Sequence, residues 1–109
     1  MAQSSGQTPV LDLLATMTGA SLAASSLDPQ SLMLARIAAL VAVDAPPVSY
    51  VLNLEAATNA DIDAERVRGI LAAIAPIVGT ARIAAATRNI VEALAVEIEI
   101  AEIDSQGDA

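Results

Sequence analysis

Apolar residues recur every three or four positions along most of this chain, and the pattern predicts five helices. Thr8-Pro9 and Asp28-Pro29 each place a capping side chain before a proline that fits a first helical turn. Asp63 caps a fourth helix. We expect Pro76 to kink or end this helix, and Gly79 to end it before the last helix begins. The other predicted helices cover residues 9–25, 29–43, 47–58 and 81–103.

The first two predicted helices differ in how much of their surface is apolar. Helix 9–25 carries a single stripe, formed by Val10, Leu13, Leu14, Met17, Ala20 and Ala24. Helix 29–43 is apolar on all sides and has Arg36 as its one charged residue. A helix of that kind needs burial all round, which a 109-residue monomer can hardly supply. The sequence therefore predicts a homo-oligomer.

The last predicted helix also has more apolar positions than one contact within the chain requires. They are Ile83, Ile90, Val91, Leu94, Val96, Ile98, Ile100 and Ile103. Residues 96–103 could instead be extended, because 96–100 alternate as a strand does, although the preceding alanines favour a helix. We expect residues 1–8 and 104–109 to be flexible, which leaves 9–103 as one helical domain.

Composition supports an all-α fold and narrows the chemistry. Alanine, the residue with the highest helix propensity, occurs 25 times, and the chain has a single aromatic residue. We therefore expect a compact bundle of about five helices. The absence of cysteine and histidine excludes disulfides, thiol nucleophiles, thiolate metal sites and the usual proton shuttle at neutral pH. No metal or cofactor is expected.

The charge balance is strongly acidic, with five arginines, no lysine and 13 carboxylates. A net charge of −8 disfavours nucleic acid and anionic membranes as partners, because both are bound by clustered cations. No apolar run reaches the ~18 residues of a membrane span, and no basic segment opens a secretory signal. We expect a cytoplasmic protein.

Six carboxylates lie near the C-terminus: Glu92, Glu97, Glu99, Glu102, Asp104 and Asp108. We expect them to form a solvated helix surface and not a metal site.

The segment from Met33 to Ala86 combines an apolar helix, a short break containing Pro46-Pro47, a second helix, and an alanine-rich helix that ends near Gly79. This order resembles the carboxymuconolactone decarboxylase and AhpD-like alkylhydroperoxidase family. The resemblance implies an all-helical, AhpD-like fold that assembles as a trimer or a hexamer.

Peroxidase members of that family carry a Cys-x-x-Cys-x-x-x-His motif and a glutamate on the preceding helix. When the motif is aligned without gaps from Ala56-Ala57, its histidine falls at Asn53 and its cysteines fall at Ser49 and Pro46. The glutamate falls near Met33 or Leu34. None of the four is retained. The amide of Asn53 cannot act as a general base near neutral pH. The resemblance therefore implies the fold without thiol peroxidase activity.

Two kinds of function follow. The favoured one is a non-redox, homo-oligomeric structural or small-molecule-binding protein without catalytic residues. The alternative is an enzyme of lactone or carboxylate chemistry, similar to the decarboxylases, with a pocket near Arg36, Ser49, Tyr50 and Asn53. Simpler roles are favoured for two of these residues. Arg36 would form an ion pair with Asp44, Glu55 or a C-terminal carboxylate, within or between subunits. Asn53 would satisfy backbone at a helix end or lie exposed.

Overall fold

The computed structural model describes the backbone of residues 8–108 and the side chains of residues 8–95. Five helices follow one another: α1 (Pro9–Ala24), α2 (Pro29–Ala42), α3 (Pro47–Asn59), α4 (Ala64–Val78) and α5 (Thr80–Asp108). Between residues 8 and 108 there is no strand. The prediction of an all-α fold with five helices is therefore confirmed.

Two of the three predicted N-terminal caps form as expected. Asp28 accepts hydrogen bonds from the backbone N–H of Ser31 at 3.1 Å and from its hydroxyl at 2.7 Å. Asp63 accepts one from the backbone N–H of Arg66 at 2.9 Å. Thr8 precedes α1 without a capping bond from its side chain, and its hydroxyl donates to Asp12 Oδ1 at 3.4 Å. The start of α1 therefore rests on Pro9 more than on a capping side chain.

The end of α4 agrees with the sequence prediction, whereas the end of α5 corrects it. Helix α4 passes through Pro76, and Gly79 ends it with a φ of 97°, a conformation that favours glycine. Helix α5 starts at once with Thr80 and remains helical through 96–103, so the extended alternative is wrong. It also continues to Asp108, five residues past the predicted end, and Gly107 lies inside it.

The core lies among α2, α3, α4 and α5. Helix α3 packs against α2 and α5, and α4 packs against the same two helices. The buried residues are Leu32, Met33, Ile37, Val41, Ala45, Tyr50, Leu54, Ala57, Ile62, Ile70, Ala86, Ile90 and Ala93. Only one face of α2 contributes to this core, whereas Ala35, Ala39 and Ala42 on its other side are exposed. A single chain therefore does not bury α2 on all sides, as its composition led us to expect for a monomer of this length.

Within the described residues, helix α1 packs against none of the other four helices, and none of its residues is buried. Its large apolar side chains are between 51% and 67% exposed: Val10, Leu11, Leu13, Leu14, Met17 and Leu22. The guanidinium of Arg36 on α2 donates a hydrogen bond to the Ser21 hydroxyl of α1 at 3.0 Å. The described part of the chain thus holds α1 by a polar contact and leaves its apolar stripe uncovered.

Candidate functional site

Tyr50 lies at the centre of the core on α3, with none of its surface exposed. Its hydroxyl has no hydrogen-bond partner within the described part of the chain. Burial raises the pKa of Tyr50, and the nearby Asp44 carboxylate raises it further. The phenol is therefore neutral at physiological pH, and a ligand at the protein surface has no direct access to it.

Ser49 and Asn53 lie one helical turn apart on α3, and both are half-buried. The amide of Asn53 donates from Nδ2 to the backbone oxygen of Ser49 at 2.8 Å. The bond goes to backbone, as the sequence favoured for Asn53, but it lies in the middle of α3 and not at a helix end. It occupies one of the two amide hydrogens, so the side chain is held against its own helix.

Arg36 is half-buried on α2, and its guanidinium is directed to α1 through the bond to Ser21. Among the side chains of residues 8–95, Arg36 forms no ion pair with Asp44 or Glu55, although an ion pair does join Arg68 to Glu65. The predicted ion pair within the chain is therefore wrong for these two carboxylates, because the neutral Ser21 hydroxyl takes their place. An ion pair between subunits stays a prediction.

Two polar side chains of α5 hold the turn between α2 and α3. Arg82 donates from Nη1 to the backbone oxygen of Ala42, at the C-terminal end of α2 where a cation is favoured. Asn89 donates from Nδ2 to the backbone oxygen of Ala45 at 3.2 Å. Sequence reasoning missed both contacts, which join residues 40 and 44 positions apart. The only local signal is their seven-residue spacing, which puts both side chains on one face of α5.

A half-enclosed cavity of about 270 Å³ lies where α3, α4 and α5 meet. Its walls are mostly aliphatic side chains: Leu54, Ala57, Ile62, Ala64, Val67, Leu71, Ile90, Val91 and Leu94. The polar residues that line it are Thr58, Asp63, Arg68 and Thr87. The four site residues predicted from the sequence do not line this cavity, and a pocket formed by them stays a prediction.

Two more open grooves lie beside α2. One, of about 350 Å³, runs between the α1–α2 connection and α3 and is lined by Leu22, Leu27, Pro29, Leu32, Met33, Ala56, Asn59 and Ala60. The other, of about 640 Å³, lies between α2 and α4 and includes Leu34, Glu65, Gly69 and Ile70. At its edge Arg66 donates from Nη1 to Gln30 Oε1 at 3.1 Å, which links the two helices.

Within the described residues, no three carboxylates lie close enough together to hold a metal ion. Of the acidic residues near the C-terminus, only Glu92 has a described side chain. The same part of the chain contains no helix with the length and hydropathy needed to cross a membrane.

Comparisons of this chain with models of protein families, with characterised proteins and with solved structures find no match. The resemblance to the carboxymuconolactone decarboxylase and AhpD-like family therefore stays a prediction.

Proposed function

We propose that this protein is a homo-oligomeric structural protein whose copies associate through the apolar stripe of α1. We define the α1 stripe by Val10, Leu13, Leu14 and Met17, which are all more than half exposed. The observation that carries the proposal is the lack of packing between α1 and the other four helices. A helix of 16 residues is marginal in water on its own, so α1 needs a surface to cover its stripe.

A second copy of the chain suits the α1 stripe in both hydrophobicity and charge. Burying a Leu or Met side chain completely contributes about 1.5–3 kcal/mol, so covering the stripe stabilises a helix that is marginal on its own. Asp12 is the only charged residue of α1, and it lies outside the stripe. Two copies can therefore bring their stripes together without placing like charges in contact, although each chain carries a net charge of −8. A symmetric pairing of identical helices satisfies both copies at once.

A second apolar surface supports an assembly larger than a dimer. Val48 and Leu52 lie one turn apart on α3, and they are 68% and 71% exposed. Contiguous exposed apolar patches in soluble proteins mark contact surfaces. Two separate patches on one chain fit the trimer or hexamer that the family resemblance implies, because such assemblies use more than one surface of each subunit.

Membership of the carboxymuconolactone decarboxylase and AhpD-like family is part of the same proposal. Its support is the order of an apolar α2, a break containing Pro46-Pro47, α3, and an alanine-rich α4 that ends at Gly79. A structural role has more support than lactone or carboxylate chemistry. The reason is that the Tyr50 hydroxyl is buried and the Asn53 amide is bound to its own helix.

The test is the mass of the protein in solution, measured by light scattering coupled to size-exclusion chromatography at micromolar concentration. We expect an oligomer for the natural chain. The double variant Leu14→Lys/Met17→Lys places two charges in the α1 stripe and should shift the mass to that of a smaller species. Its control, Thr16→Lys/Ala23→Lys, adds the same charge to the opposite face of α1, where both residues are exposed. The control should keep the natural mass.

Two results would contradict the proposal. One is a natural chain that is monomeric at micromolar concentration. The other is a Leu14→Lys/Met17→Lys variant that keeps the mass of the natural chain while circular dichroism shows that its helices are intact.

A further inference from the structure

The cavity between α3, α4 and α5 reaches into the hydrophobic core. Leu54, Ala57, Ile62 and Ile90 are core residues with at most 7% of their surface exposed, and all four line it. Val67 and Leu71 of α4 form a half-buried wall. An apolar cavity of about 150 Å³ in a protein interior can bind benzene, so about 270 Å³ accommodates one ring with small substituents.

The charged residues around this cavity oppose an anionic ligand. Arg68 is the one cation among the lining residues, and it is already paired with the carboxylate of Glu65. Asp63 also lines the cavity and adds a second carboxylate close to Arg68. The local charge is therefore negative, and a ligand carboxylate would have to displace Glu65 from Arg68 while approaching Asp63.

The hydroxyl groups at the cavity are arranged as acceptors. Thr58 Oγ1 donates to the backbone oxygen of Leu54 at 3.0 Å, and Thr87 Oγ1 donates to that of Ile83 at 2.8 Å. Each hydroxyl has a single hydrogen, so both have used their donor and keep lone pairs for a donor from elsewhere. They stand on α3 and α5, on two different sides of the cavity.

We propose that the cavity between α3, α4 and α5 binds a neutral, single-ring hydrophobic molecule with one hydroxyl group, of the phenol class. The ring fills the space between Leu71 and the core residues, and the hydroxyl donates to Thr58, Thr87 or Asp63. The site stands independently of the proposed assembly through α1, because no residue of α1 lines it.

Binding can be measured on the full natural chain by methyl NMR, with 4-methylphenol, 4-methylanisole and 4-methylbenzoate as probes. These three have similar rings, but only the first is a neutral donor. We expect saturable shifts of the Leu71 and Ile90 methyl signals with 4-methylphenol and a Kd below about 1 mM. Ile77 lies outside the cavity and is 87% exposed, so its signal should not move. The anisole should bind several-fold more weakly, and the benzoate at least about tenfold more weakly.

A matched pair of variants tests whether the cavity is the binding site. Val67→Phe places a ring inside the cavity and should weaken 4-methylphenol binding by at least about tenfold. Val43→Phe makes the same change at the C-terminal end of α2, at a position that is 71% exposed and does not line the cavity, and should bind as the natural chain does. The shifts in the natural chain locate the ligand even if Val67→Phe folds poorly.

Three outcomes would overturn this proposal. The first is an absence of saturable shifts at Leu71 and Ile90 in the natural chain. The second is benzoate binding as tight as that of the phenol, which would make Arg68 the recognition group for an anion. The third is a ligand that lowers the mass of the assembly, which would show that a second copy of the chain occupies the cavity. A monomeric natural chain that still binds the phenol would contradict only the proposed assembly.

Discussion

Asn89 of α5 donates a hydrogen bond from Nδ2 to the backbone oxygen of Ala45, and this bond ties the last helix to the turn between α2 and α3. Ala45 is only 6% exposed, so water has little access to replace the amide. We expect Asn89→Ala to lower the free energy of unfolding by about 1–3 kcal/mol, because it leaves a buried carbonyl without its partner. Urea unfolding followed by circular dichroism measures this loss.

The control for Asn89 is its neighbour Arg88, which is exposed on the same helix. Arg88→Ala should change the free energy of unfolding by less than about 0.5 kcal/mol. If both variants lost the same free energy of unfolding, the loss in Asn89→Ala would come from a change in α5 itself and not from the broken bond to Ala45.

The unpaired hydroxyl of Tyr50 predicts a substitution that does not destabilise the core. Tyr50→Phe keeps the ring and removes a buried polar atom without a partner, so the free energy of unfolding should rise by about 1 kcal/mol. Tyr50→Ala removes the ring as well and should lower it by about 3–5 kcal/mol. A loss in Tyr50→Phe of the size expected for a broken hydrogen bond would reveal a partner for the hydroxyl.

Tyr50 also predicts how stability changes at alkaline pH. The chain has one tyrosine and neither lysine nor cysteine, so Tyr50 is the only side chain that titrates between about pH 9 and 12. Burial, with a smaller contribution from Asp44, raises its pKa above 10.0. The stabilisation of the neutral phenol is complete below 10.0 and is lost as the pH rises from there through the folded-state pKa. The absorbance of the phenolate measures the folded-state pKa of Tyr50. Urea unfolding at several alkaline pH values measures the loss of stability.

Two variants separate the causes of the Tyr50 shift. Asp44→Asn removes the charge and tolerates the φ of 56° at that position, so the folded-state pKa should fall only part of the way to 10.0. Tyr50→Phe should lose less stability than the natural chain above 10.0. An alkaline loss of the same size in Tyr50→Phe would exclude Tyr50 as its source.

Asp28 predicts a loss of stability at acidic pH. Hydrogen bonds from the hydroxyl and the backbone N–H of Ser31 lower its pKa from 3.8. The contribution of the carboxylate is therefore complete above 3.8 and is lost as the pH falls through the lower folded-state pKa. Asp28→Asn keeps a capping oxygen but has no charge to titrate, so its stability should fall less steeply with acid than that of the natural chain. Asp28→Ala should be less stable at all pH values. Identical acid profiles for the natural chain and Asp28→Asn would contradict this role.

Two glycines should respond to alanine in opposite directions. Gly79 has a φ of 97°, so Gly79→Ala forces a strained backbone and should lower the free energy of unfolding by about 1–2 kcal/mol. Gly69 lies inside α4 with open space where a Cβ would stand. Gly69→Ala should raise the free energy of unfolding by about 0.5–1 kcal/mol, because alanine favours the helix. Thermal unfolding compares the two directly, and a gain in Gly79→Ala would show that α4 and α5 can join without the glycine.

The helices could be predicted because their signals are local. Asp28, Asp63 and Gly79 act within one turn of their own positions, and the observed helices begin and end beside them. The end of α5 was placed too early, because the polar residues after Ile103, which are mostly weak helix formers, suggested a flexible tail. The candidate site was harder to predict. The roles of Arg36 and Tyr50 depend on which helices meet, and one sequence carries no direct record of that.

The sequence by itself determined the all-α class, the positions of most helix starts and the chemistry that the absence of cysteine and histidine excludes. These features depend on composition and on residues no more than four positions apart. Only the tertiary structure decided that Arg36 bonds to Ser21, that Asn89 holds the turn at Ala45, and that a cavity opens between α3, α4 and α5. The physical reason is that such contacts join distant residues, and they depend on how apolar faces pack together to exclude water.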